Sequence, residues 1–206
     1  MKYFTFIVLF LLFSCGEKQS VQLPKSNITI VEKVDDLTPV YIFFKVEDND
    51  TIADVNRRNT IISTNWVFNI DKRLPLKLVI PQVMKLQEKK RKDSDYKNEL
   101  AQNYYTYMDN VKKNLAFLPF TEVYYKLEKQ KNGNVIFFNK HNQIFVNETI
   151  VKLQNLDDYL NSLPSDKPNK FIFCFDENLD FGTYVQHKIL IESLKIKGKS
   201  EEEFIY

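Results

Sequence analysis

The side chains of this sequence that could do chemistry are few and scattered. Cys15 and Cys174 are its two cysteines, and His141 and His187 its two histidines. Cys174 lies inside the apolar run Phe171-Ile172-Phe173-Cys174-Phe175, where burial raises a thiol's pKa and leaves it inert. His141 falls in the polar turn 139–143, and His187 in a mixed segment expected at the surface or its boundary. Neither has companions at metal-ligand spacing. Gly16, Gly133, Gly182 and Gly198 are the whole glycine supply, and that spacing builds no phosphate-cradling loop. No catalytic residue, cofactor or metal site is therefore expected. Two carboxylates stand apart by position. Asp71 and Asp176 each sit where an apolar run gives way to a helical pattern. An aspartate there makes a turn or an N-cap, worth ~1 kcal/mol, a simpler role than catalysis or binding.

Cys15 has a different context. One charge, Lys2, precedes an apolar run from Tyr3 to Phe13, and Leu12-Phe13-Ser14-Cys15 leads into the polar stretch 16–20. A short basic end, an apolar stretch and a small residue before the cut describe a signal peptide, here residues 1–14. The run is shorter than the ~20 residues that span a bilayer. The pattern resembles a bacterial lipoprotein lipobox. That resemblance implies cleavage before Cys15 and acylation of its thiol and new amine. Several acyl chains anchor stably, since each buried methylene contributes ~0.8 kcal/mol. Gly16 rather than an aspartate follows the cysteine. By resemblance to Gram-negative lipoproteins, this favours the outer membrane with the bulk facing the periplasm. With Cys15 lipidated, Cys174 has no intramolecular disulfide partner.

The elements follow from periodicity. Residues 15–39 carry Pro24 and read as a lipidated tether. Val40–Val46 is β-branched and aromatic, hence a strand, and Thr51–Val55 a weaker one. Trp66–Ile70 is a strand, followed by a helix with Leu76, Val79, Ile80, Val83 and Met84 on one face. The run Lys89-Lys90-Arg91-Lys92 reads as its solvated end. Tyr96, Leu100, Tyr104, Tyr107, Met108, Val111 and Leu115 predict a helical insertion over 94–116 whose tyrosines pack as a core stripe. Thr121–Leu127 is a strand. Beyond it come a hairpin (135–138 with 144–146), a helix at 156–163 with Asn155 as candidate N-cap, a strand at 171–175, a helix from Phe181 and a terminal strand at 203–206. The order is ββαβαβ. With 29 basic and 27 acidic side chains, nothing marks a nucleic-acid binder.

Trp66–Leu76 laid over Phe171–Phe181 without a gap gives three identities: Phe68 with Phe173, Asp71 with Asp176, and Leu74 with Leu179. The apolar pattern agrees, and both segments read as strand, Asp turn, helix. Internal duplication is one explanation. The C-terminal unit also resembles the periplasmic domain of the ExbD/TolR family of biopolymer-transport proteins. The resemblance rests on the element order, the hairpin with a short polar turn, and the strand exit Asp176-Glu177-Asn178-Leu179-Asp180-Phe181-Gly182. It covers 133–206 well and 40–92 loosely, and 93–120 has no counterpart. Members of that family carry a transmembrane helix with an ionisable aspartate serving a proton-driven motor. No aspartate occurs in residues 1–34, so only the periplasmic domain's role is implied: self-association, or contact with protein partners or cell wall.

These readings give an α+β fold of mixed sheets with helices on one face, an N-terminal lobe at 40–127 and an ExbD/TolR-like lobe at 128–206. The expected function is that of a non-enzymatic binding or scaffolding lipoprotein, anchored to the membrane by lipid and accessory to an ExbD/TolR-type system. The alternatives are an envelope hydrolase using scattered carboxylates and a carrier of a small apolar ligand. The expected partner surface is a sheet edge, at the hairpin 134–146 or at Ile205 and Tyr206. The competing reading is that Lys140 and Glu201-Glu202-Glu203 guard those edges.

Overall fold

The computed structural model describes residues 20–56, 60–92, 98–130, 133–164 and 169–206. The signal segment, Cys15 and the start of the tether lie outside the described residues. The fold is α+β, with two mixed sheets and three helices.

In the first lobe, β2 (Leu37–Glu47) pairs antiparallel with β3 (Asp50–Asn56) and parallel with β4 (Asn65–Ile70). Helix α1 (Leu76–Arg91) carries the chain across to β5 (Asn103–Asp109), parallel to β4. In the second lobe, β8 (Asn134–Phe138) pairs antiparallel with β9 (Ile144–Val146) and parallel with β11 (Phe171–Phe175). Helix α3 (Phe181–Ser193) then leads to β12 (Lys199–Ile205), parallel to β11. The orders β3-β2-β4-β5 and β9-β8-β11-β12 are the same, strand for strand and sense for sense. Additions distinguish the lobes. The first gains β6 (Leu115–Pro119), antiparallel to β5, and β1 (Lys25–Ser26) at the end of β5. The second gains β7 (Tyr124–Lys126) beside β12, β10 (Thr149–Val151) beside β9, and the short helix α2 (Leu156–Ser162).

Alternation assigns the faces. Trp66, Phe68 and Ile70 of β4 point into the main core, as do Phe171, Phe173 and Phe175 of β11. Val67 points outward, as do Ile172 and Cys174. Phe68 and Phe173 are therefore inward residues at matching positions. The helix-bearing faces of both lobes contribute to one core, which holds Val79, Val83, Tyr105, Phe120, Tyr184 and Ile189 together.

The two strand exits meet at the centre. Leu76 N donates to Leu179 O (2.9 Å) and Phe181 N to Leu74 O (2.8 Å). Lys77 N donates to Glu177 O (2.8 Å) and Gly182 N to Lys72 O (2.9 Å). Pro75 and Asp180 form the antiparallel bridge between them. Under the alignment of Trp66–Leu76 with Phe171–Phe181, each bond becomes the other of its pair when the lobes are exchanged, the signature of a local pseudo-twofold axis.

Of the helical insertion expected over 94–116, residues 98–116 form no helix, and Tyr96 lies outside the described residues. Asn103–Asp109 and Leu115–Pro119 are paired strands. Asn-Tyr-Tyr-Thr-Tyr-Met-Asp is rich in strand formers, and its true period is two: Tyr105 and Tyr107 are buried inward, while Tyr104 packs on the outer face. The helical spacing was carried by residues such as Leu100 and Val111, which are largely exposed. No helix among the described residues is long and apolar enough to cross a membrane.

Candidate functional site

The two aspartates are turn formers. Asp71 Oδ1 accepts from Arg73 N (3.1 Å), and Asp176 Oδ1 from Asn178 N (2.8 Å), each two residues on. Leu74 N returns to Asp71 O and Leu179 N to Asp176 O. Neither caps a helix: α1 is preceded by Pro75 with no side-chain cap, and Asp180 caps α3 by accepting from Thr183 N. Asn155 precedes α2 but makes no capping bond. Asp71 is fully buried and also takes the Arg73 guanidinium through Nε and Nη2 (both 2.8 Å) and Gln22 N (3.1 Å). Burial pushes its pKa up, but the Arg73 and backbone N–H groups outweigh that and hold it below the usual carboxylate value. Such a carboxylate orders a turn and is spent as a base.

The polar heart of the molecule is a chain that the sequence did not reveal. Tyr105 of β5, Tyr125 of β7, Tyr184 of α3 and Glu203 of β12 link by hydroxyl contacts of 2.7 and 3.0 Å and a final bond of 2.8 Å to Glu203 Oε2. Lys188 donates to the other carboxylate oxygen. Because Tyr184 gives its proton to the carboxylate, Tyr125 donates to Tyr184 and Tyr105 to Tyr125, so every hydroxyl points toward Glu203. Burial raises the pKa of all three tyrosines, Tyr105 and Tyr184 well above the ordinary value. They therefore stay protonated at neutral pH. The chain joins both lobes, and each hydroxyl donates once and accepts at most once, which makes it a staple. Glu203 is thus 1% exposed, not an edge guard. His187, expected near the surface, is 7% exposed and rests on Phe138 (ring centroids 4.5 Å). Burial pulls its pKa down to about 4, with Nε2 unpartnered among the described residues. His141 is exposed in its turn.

Ile205 is 2% exposed, and β12 lies between β11 and β7, so the terminal strand is no edge. The hairpin strands β8 and β9 are interior as well; the sheet ends at β10 and β7. Family-like order in the second lobe suggested an open terminus, but β7, contributed from before the hairpin, closes it. Tyr206 instead lines a groove of about 840 Å³ on the outer face of the second sheet. Val135, Phe137 and Phe145 form its apolar floor with Tyr206, and Lys129 and Asn147 stand on its rim. Phe137 stacks on Tyr206 (5.2 Å, 14°), and Lys129 Nζ lies 5.8 Å over the Tyr206 ring. Beneath Tyr206, Cys174 is fully buried, and burial pushes its thiol up to about 12.

In the first lobe the chain itself covers part of the outer face, over β4 and β6, whereas on β2, the counterpart of β8, outward Tyr41 is exposed and stacks on Phe43 (ring centroids 5.7 Å). Val34 packs with Val67 and Phe117, and Val31 bridges Phe117 through two backbone bonds of 3.0 and 2.9 Å. Among the described residues no group of three metal-binding side chains assembles. Comparison with family models, curated proteins and solved structures returns no match to this chain.

Proposed function

We propose that this chain is a lipid-anchored, non-enzymatic binding module of the cell envelope, facing the periplasm and accessory to an ExbD/TolR-type transport system. One observation carries the binding role: the outer face of the second sheet is an aromatic groove floored by Val135, Phe137, Phe145 and Tyr206. The apolar floor and polar rim of the groove fit an extended segment of a protein partner with apolar side chains. The groove's size lies within the ~300–1,000 Å³ range of binding sites, and apolar contact on a sheet face with rim amides for the backbone is a known mode of peptide capture. Asp71 and the chain Tyr105-Tyr125-Tyr184-Glu203 are engaged within the fold.

The anchor and the groove are tested separately in the full-length chain. Cys15→Ser is expected to abolish incorporation of radiolabelled fatty acid; equal labelling of wild type and variant would end the lipoprotein reading. Phe137→Glu places a charge on the half-buried groove floor. It is expected to leave the thermal transition within a few degrees of wild type and to remove co-purification of the partner from solubilised envelope. Retention of the same partner by a folded Phe137→Glu variant would remove the groove from the account.

A further inference from the structure

A second concavity lies where the lobes meet, independent of the groove. It is a cleft of about 290 Å³ bounded by the end of β6, the turn leading to β7, the C-terminal half of α3 and the start of β12. Phe120, Val123, Phe173 and Ile191 make its apolar walls. Lys188 and Glu203 line it from below, and Lys199 stands beside them.

Lys188 is the unusual member. It is 5% exposed, and an ammonium has three N–H donors. Among the described residues its one acceptor is Glu203 Oε1. Buried donors without acceptors are costly, and a buried ion pair is maintained only when its remaining donors are met. Both oxygens of Glu203 are already engaged, one by Lys188 and one by Tyr184. Lys199 is half-buried and spends donors on the Ile191 and Glu192 carbonyls. The buried pair is Lys188 and Glu203, and half-buried Lys199 stands beside it with Glu192 and Asp157 acting on it. Glu122, Glu192 and Glu201 also border the cleft but are solvent-exposed, where water and salt screen them.

We infer that this interlobe cleft is a binding site for a small monocarboxylate with an apolar body. Its carboxylate meets the unused donors of Lys188 and faces Lys199. Its hydrocarbon part lies among Phe120, Val123, Phe173 and Ile191. A ligand there touches β6, the connecting turn, α3 and β12 at once, and so ties the two lobes together.

The test uses the full-length chain, 3-phenylpropanoate as probe and 3-phenylpropanamide, its neutral counterpart, as control. Calorimetry is expected to give saturable binding of the carboxylate with a sub-millimolar Kd, and affinity for the amide at least tenfold weaker. Lys188→Met leaves Glu203 buried without its cation and is liable to unfold, so two milder changes accompany it. Lys199→Gln is expected to weaken the carboxylate at least fivefold. Ile191→Trp fills the cleft and is expected to abolish binding while the groove variant Phe137→Glu binds normally. Absence of binding to 5 mM, equal affinity for acid and amide, or binding that survives Ile191→Trp in a folded protein would overturn the proposal and show that water alone serves Lys188.

Discussion

At the scale of single residues, the buried ionisable groups are what hold the account to measurement. Lys90 was expected at the solvated end of α1, and its neighbours Lys89, Arg91 and Lys92 are indeed exposed. Lys90 itself is 6% exposed; its Nζ donates to Gln102 O (2.8 Å) and Asn103 Oδ1 (3.0 Å) and lies 5.2 Å over the Trp66 ring. Burial pulls its pKa down to about 8, against ~10.4 in an unfolded chain. Between those values the unfolded state binds more protons, so stability rises with pH across that window. Lys90→Met is expected to flatten the rise between roughly pH 8 and 10 in urea unfolding at fixed salt; an unchanged slope would contradict the burial. The sequence made Cys174 legible as an inert thiol because its apolar neighbours are adjacent in the chain. It hid Lys90, His187 and Glu203, because Asn103, Phe138 and Tyr184, which receive them, are distant in sequence.

At the scale of elements, legibility followed the length and purity of each pattern. The core strands at 40–46, 66–70 and 171–175 and the helices from Leu76, Leu156 and Phe181 all form close to where the periodicity placed them. The stretch 94–116 failed because a strand with one polar residue between tyrosines satisfies three- and four-residue spacings by coincidence. The edges failed for a different reason: strand neighbours are a long-range property, and β7 precedes the sheet it closes. Gly198 shows how tightly the turn into β12 is set against the start of β11. It has φ +82°, and a Cβ on it would come within 2.0 Å of Asn169 O. Both the left-handed backbone and the clash oppose a side chain. Gly198→Ala is expected to cost about 1–3 kcal/mol, read by thermal unfolding. A neutral effect would mean that the turn into β12 is free to relax.

At the scale of the whole molecule, the lobes are joined by reciprocity as well as by a shared core. The bonds between Lys72–Lys77 and Glu177–Gly182 recur under exchange, and the tyrosine chain to Glu203 crosses the same junction. An arrangement of this kind is what a two-fold dimer leaves after its subunits fuse, since an isologous contact repeats each bond twice. On the proposed reading, the pairing of like units takes place inside one chain. The outer faces are then left for partners. The groove floored by Phe137, Phe145 and Tyr206 is the one this account assigns to a partner. The most direct test of this account is site-specific photo-crosslinking in intact envelopes. The crosslinking amino acid replaces Phe145 in the groove or, as a control, exposed Ile61 on the first lobe. The account predicts one discrete adduct from position 145, absent from position 61 and lost when Phe137→Glu is added. No adduct from position 145, or the same adducts from both positions, would contradict it.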